Sequence, residues 1–121
     1  MLIAIAAQGG SMDSPVEERF GRAAGFIICD TEKSGLRWHD NSQNLQSAQG
    51  AGIQSAKHVI ESDATVLIAR NVGPKAYDLL ERAGVAMYLC PEECRLAGEA
   101  IDKFKAGMLQ RLSGANQEGH W

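Results

Sequence analysis

Residues able to do chemistry fall into four stretches of the chain. Residues 8–22 carry Gln8, Gly9, Ser11 and Met12, then the run Arg19-Phe20-Gly21-Arg22. Residues 41–52 carry Asn41, Gln49 and Gly50-Ala51-Gly52, and residues 70–74 carry Arg70, Asn71 and Gly73-Pro74. Residues 90–94 hold Cys90 and Cys94 in a C-x3-C spacing. Arginine supplies a permanent positive charge and a fork of donors, amides add donors, and glycine lets a ligand approach the main chain. Gly50-Ala51-Gly52, Gly73-Pro74 and Cys90-Pro91 each predict a helix start, where unpaired N–H groups and partial positive charge attract anions. Together these residue types describe a cradle for a compact polyanion.

Each residue also has a plainer use. Glycines start helices without any ligand, and Phe20 in a polar stretch anchors that stretch to a core while Arg19 and Arg22 emerge on either side. At a helix start Cys90 and Cys94 would have lowered pKa values and would suit a soft metal, with Met12 offering a thioether. Against this, free cysteine is among the most buried residue types and methionine fills gaps. Two thiols do not complete a tetrahedral zinc site. A catalytic cysteine would want a histidine partner, whereas His58 falls mid-helix, His39 on a strand and His120 near the C-terminus. Glu92-Glu93 suit a helix start, and Cys29 reads as core.

The elements that must hold these stretches follow from periodicity. Residues 2–7 are the apolar run of a strand buried on both faces. Residues 11–24, polar and broken by Pro15 and Gly21, form a long loop, a class that is often functional. Residues 25–30 and 36–40 are strands joined by residues 31–35, a connection short enough only for an antiparallel hairpin. From Gly50 the period becomes helical, with Ile53, Ala56, Val59 and Ile60 on one face and Ser62-Asp63 closing the segment. Residues 65–69 are the fourth strand. Pro74 opens a helix buried through Ala76, Leu79, Leu80 and Ala83 and stopped by Gly84. Residues 85–89 are the fifth strand, and Pro91 opens a last helix with the stripe Leu96, Ala97, Ala100, Ile101 and Phe104.

The order β-β-β-α-β-α-β-α, with right-handed crossovers, predicts one α/β domain. It has a five-stranded mixed sheet, the second strand antiparallel to its neighbours, and three helices. The domain spans residues 1–112, and residues 113–121 read as a flexible tail. Ligands of open α/β sheets bind outside the carboxyl ends of the strands, and all four stretches fall at that edge.

Bulk properties narrow the function further. The 121 residues fit one domain, and 45% hydrophobic with 22% charged residues suits a globular core. A formal charge of −3 gives no electrostatic reason for nucleic acid or an anionic membrane as partner. No apolar run approaches the roughly 20 residues of a membrane span. The N-terminal run lacks the basic region of a secretory signal, and three cysteines are too few for a disulfide framework. These features fit a reducing cytoplasm.

Four runs resemble the dinitrogenase iron–molybdenum cofactor biosynthesis family in order and spacing. They are Ile3-Ala4-Ile5-Ala6, residues 19–26 (Arg-Phe-Gly-Arg-Ala-Ala-Gly-Phe), Gly50-Ala51-Gly52-Ile53 and Val72-Gly73-Pro74-Lys75-Ala76. That family includes NifX-type carriers, the C-terminal domain of NifB-type proteins and the orange protein of sulfate reducers, which is nearest in look through its Phe-Gly-Arg-Ala-Ala-Gly-Phe run. The resemblance implies a ribonuclease-H-like fold without nuclease activity in an anaerobe. It implies binding of a metal–sulfur cluster, either iron–molybdenum cofactor and its precursors or a molybdenum–copper sulfide. It also implies cofactor-assembly proteins or a MinD-type P-loop ATPase as partners. Gln49 stands where family members often carry a histidine, and an amide is a poor metal ligand.

Three functions compete. A non-enzymatic carrier of an anionic metal–sulfur cluster accounts for the arginines, amides and helix starts together. A metal-dependent phosphodiester hydrolase would need carboxylates converging on magnesium, for which Asp13, Glu17, Glu18 and Asp40 are the candidates. A ligand-free module regulating a partner ATPase would need none of these residues as ligands.

Overall fold

The computed structural model describes residues 1–33, 35–41 and 51–115. The first aliphatic run forms β1 (Leu2–Ala7), and the hairpin follows as β2 (Gly25–Asp30) and β3 (Leu36–Asp40). Then come α1 (Ala51–Glu61), β4 (Val66–Ala69), α2 (Pro74–Arg82), β5 (Ala86–Leu89) and α3 (Ala97–Lys105). The sheet order is β3-β2-β1-β4-β5. β2 runs antiparallel to both β1 and β3, while β1, β4 and β5 are parallel. The carboxyl ends of β1, β3, β4 and β5 therefore share one edge, as the sequence order predicts.

Alternation along the strands sorts the core into two layers. Ala4, Ala6, Phe26, Ile28, Leu67, Ala69 and Met87 point to one face and meet Ala56 and Val59 of α1 and Ala76 and Leu80 of α2. Ile3, Ile5, Ile27, Cys29, Val66 and Ile68 point to the other and meet Ala97, Ala100 and Ile101 of α3. Helix ends follow local chemistry. Asp63 (φ 67°) turns the chain after α1, where the Ser62 hydroxyl donates to the Val59 carbonyl. Gly84 (φ 83°) ends α2, with Val85 N–H donating to Leu80 O at 2.9 Å.

Two expectations are corrected. Ala83 lies past the end of α2 and is exposed. Pro91 does not open the last helix: the chain makes a turn closed by Cys94 N–H on Pro91 O at 3.0 Å. It then pairs with the long loop, through Val16 N–H to Arg95 O, Ala97 N–H to Ser14 O and Gly98 N–H to Met12 O, each 2.9 Å. Those bonds hold residues 95–98 beside the loop, so α3 begins only at Ala97, with Glu99 accepting from Leu96 N–H at 3.0 Å. Pairing with the loop overrides the helix-start signal of Pro91. Beyond α3, residues 110–112 cover the β5 edge through Leu89 N–H to Gln110 O and Leu112 N–H to Met87 O, both 2.8 Å. Of the expected tail, residues 116–121 lie outside the described residues.

Trp38 lies across Gly25 and beside Gly10, so a methyl group at Gly25 would fall within the Trp38 ring. Gly25→Ala should therefore displace the indole and cost about 1–3 kcal/mol. Urea denaturation checks this: the penalty should shrink markedly in a Trp38→Ala background, where no ring remains to be displaced.

Candidate functional site

The long loop is held at the carboxyl edge by backbone bonds at both ends. Gln8 N–H donates to Pro15 O and Glu17 N–H to Ala6 O, both at 2.9 Å, extending the β1 ladder into the loop. Arg19-Phe20-Gly21-Arg22 forms a single 3-10 turn, Phe20–Arg22. Phe20 is fully buried and its ring meets Phe26 at 5.5 Å between centroids, which is the anchoring role its polar surroundings predict. Phe20 N–H donates to Asn71 O at 3.0 Å, and Arg19 bridges Asn71 in parallel. Gly21 lies against the first turn of α1: a Cβ there would sit 3.1 Å from Gly52 N and 3.2 Å from Gly52 Cα. The arginine-bearing turn thus touches the amino end of α1 and the segment just ahead of Gly73, the residue preceding Pro74 at the start of α2.

Asn41, a candidate ligand from its place after β3, has a different role. It is fully buried, and its Nδ2 donates to Ala23 O and to Ser55 Oγ, both at 2.9 Å. Ser55 Oγ reaches Gly21 O at 3.4 Å, and Asn41 N–H donates to Ala24 O at 2.9 Å. With both amide donors facing acceptors, Asn41 Oδ1 is left to accept from His58 Nδ1 at 2.5 Å. Asn41 therefore ties the turn to α1 from inside the protein and cannot itself reach a ligand.

A second cluster lies at the same edge on the α3 side. A groove of about 460 Å³ is lined by Gln8, Pro15, Glu18, Arg70, Glu92 and Arg95, among others. Arg70 crosses it, pairing through Nη1 with Glu18 Oε2 at 2.9 Å and donating through Nη2 to Cys94 O at 2.7 Å. Burial opposes its charge, but hydrogen bonds to Glu18 and Cys90 outweigh that and raise its pKa. Asn71 Nδ2 donates to Glu18 O at 2.7 Å, so Glu18 joins the two clusters.

The thiols depart from expectation. Cys90 and Cys94 flank a turn rather than a helix start and are 2% and 1% exposed. Burial pushes the Cys90 thiol up to about 11, despite the lowering effect of Arg70. The lowered pKa expected of a helix-start thiol does not arise for Cys90, because no helix starts there.

The remaining candidates are placed as follows. Ser11 is exposed and its Oγ accepts from Asp13 N–H at 3.0 Å; a Cβ at Gly9 would meet Ser14 Oγ at 2.7 Å. Met12 is half-buried against the α3-side core, a packing role. Gly52 is in the first turn of α1, Gly73 is buried and Pro74 exposed. Gln49 and Gly50 lie outside the described residues. The carboxylates of the hydrolase reading do not gather: Glu17 caps Arg19 N–H at 3.2 Å, Glu18 pairs with Arg70, and no metal-holding group of three or more His, Cys, Asp or Glu exists among the described residues. Ser55 and Arg95 are not among the residues the sequence singles out, and His58 enters there only as a possible cysteine partner. A serine and a histidine beside the apolar stripe of α1 were the available signal for Ser55 and His58.

A family model described as dinitrogenase iron-molybdenum cofactor matches residues 1–107. The apo form of the orange protein from Desulfovibrio gigas is 34% identical, with a TM-score of 0.90 over 96% of both chains. An NMR structure of a candidate NifB protein from Thermotoga is 35% identical, with a TM-score of 0.83 over 98% of both chains. An uncharacterized protein from Methanocaldococcus jannaschii is 27% identical over 95 residues, 77% of this chain and 79% of that protein.

Two outcomes follow from the site's buried groups. Asn41→Ala strands the partners of the amide and should cost about 1–3 kcal/mol, with faster hydrogen exchange at Phe20–Arg22 amides. Because the folded state keeps Cys90 protonated where the unfolded chain ionises, its contribution is full below the unfolded thiol value near 9 and is lost as pH rises through about 11. Urea midpoints measured across that window should fall less steeply for Cys90→Ala.

Proposed function

The chain belongs to the dinitrogenase iron–molybdenum cofactor family, and from that premise we propose that it binds, stores or delivers an anionic metal–sulfur cluster without catalysing a reaction. The cluster is cargo, of the iron–molybdenum precursor or molybdenum–copper sulfide type. One observation carries the reading: the Arg19–Arg22 turn is packed on the amino end of α1 and bonded to Asn71, two residues ahead of the Gly73 cap of α2. The arginine-bearing turn and two helix starts lie close together, and guanidinium groups and helix N-termini would supply the positive charge that a sulfide-bridged anion needs. Gln8, Gly9, Ser11, Gln49, Gly50 and Asn71 complete the proposed cradle as amide, hydroxyl or main-chain donors. Phe20, Gly21, Asn41 and Gly52 hold its shape, and Arg70 supports it through Glu18.

Hydrogen bonds to sulfide and overall charge would hold the cargo: the half-buried Met12 packs against the α3-side core, and Cys90 is bonded to Cys94 O rather than to the Arg19–Arg22 turn. The strand order with only β2 reversed supports the ribonuclease-H-like assignment of the fold. Cofactor-assembly proteins in the cytoplasm of an anaerobe are the partners this reading implies. A MinD-type P-loop ATPase partner rests on the resemblance alone.

Anaerobic apo-protein given tetrathiomolybdate with copper should develop visible charge-transfer absorption and retain molybdenum through gel filtration. The Arg19→Ala/Arg22→Ala pair should weaken that uptake by about tenfold or more, the loss of charge-assisted hydrogen bonds. Blank spectra and elemental analysis under reconstitution would remove the carrier reading. Magnesium-dependent cleavage of nucleic acid lost in Asp40→Asn would replace it with the hydrolase.

A further inference from the structure

Cys90 and Cys94 take no part in the cradle, yet the fold brings them together. β5 delivers Cys90, whose N–H still bonds Ala69 O at 2.8 Å as an extension of the ladder. The turn closed by Cys94 N–H on Pro91 O then folds Cys94 back, so that Cys90 Sγ reaches Cys94 O at 3.4 Å and both residues join one buried cluster. A pocket of about 210 Å³ opens onto Cys90, with Glu18 and Glu92 in its wall. Those carboxylates favour an entering cation. Arg70 lines the same pocket, donates to Cys94 O and hydrogen-bonds the Cys90 side chain.

We propose that Cys90 and Cys94 form a two-coordinate site for a soft monovalent cation of the copper(I) class, with Arg70 as its charge partner. Two thiolates satisfy such an ion, which prefers sulfur. Zinc would want four ligands, and no third or fourth His, Cys, Asp or Glu joins the pair among the described residues. The charge also balances. The cation displaces one proton from each thiol and forms two metal–sulfur bonds, with no electron transferred. The resulting bis-thiolate complex carries one negative charge in a buried place, and the Arg70 guanidinium, shared with Glu18, offsets part of it. Because protons are expelled, binding tightens as pH rises.

The site is independent of the cluster cradle, and its test uses copper(I) alone, without sulfide or molybdenum. Reduced protein is titrated anaerobically with copper(I) against a chromophoric copper(I) chelator. One equivalent should bind, with near-ultraviolet thiolate-to-copper absorption and release of two protons into weak buffer. Cys90→Ser and Cys94→Ser should each weaken binding on the order of 100-fold, the loss of one arm of a chelate. Cys29→Ser should bind as the parent does. Arg70→Gln should weaken binding and Arg70→Lys should restore part of it. Circular dichroism identifies any variant that fails to fold, and Cys90→Ala and Cys94→Ala then serve in its place. Parent-like affinity in Cys94→Ser or Cys94→Ala, equal loss in Cys29→Ser, or release of fewer than two protons overturns the proposal.

Discussion

Gly21 meets the amino end of α1 with room for a hydrogen atom and little more. A Cβ at that position would stand 3.1 Å from Gly52 N and 3.2 Å from Gly52 Cα, both main-chain atoms that cannot swing aside. That close approach sets where the Arg19–Arg22 turn lies, and with it the position of the two arginines. Phe20 locks the turn from below by burying its ring, and Asn71 O receives the Phe20 N–H from the side. Three different forces, a steric limit, apolar burial and a main-chain hydrogen bond, agree on one placement.

Polar atoms buried behind this turn make it specific. Asn41 satisfies Ala23 O, Ser55 and His58 from a fully buried position, and Ser55 reaches Gly21 O. Buried polar groups cost free energy unless paired, so a network with several partners tolerates one arrangement of the turn far better than any other. On the α3 side, Arg70 links Glu18 to Cys94 O, and Glu18 O accepts from Asn71. Arg70 thus joins the long loop to the turn after β5. The arginine-bearing turn and the thiol pair are neighbours because β4 ends between them.

Most of the architecture was legible in the residues. The continuous apolar run of β1, the short hairpin connection, the stripes on α1 and α3, and Gly84 as a stop each express a local rule that tertiary packing did not oppose. Pro91 is the exception. Its local signal for a helix start lost to hydrogen bonds between residues 95–98 and the loop at 12–16, partners some eighty positions away in the chain. The same distant pairing moved Cys90 and Cys94 from a helix start into a turn, and burial there raised the Cys90 thiol instead of lowering it.

By itself the sequence determined the order of elements, the carboxyl edge at which unusual residues collect, and the family to which the chain is similar, because periodicity and short motifs are written along the chain. Tertiary structure alone decided which of those residues face outward. Asn41 turned inward as a buried hub, Met12 packed on the core and Arg70 became a crosslink, since each found partners distant in sequence. Orientation depends on which neighbours the folded chain supplies, and no local pattern encodes a neighbour that arrives from another strand.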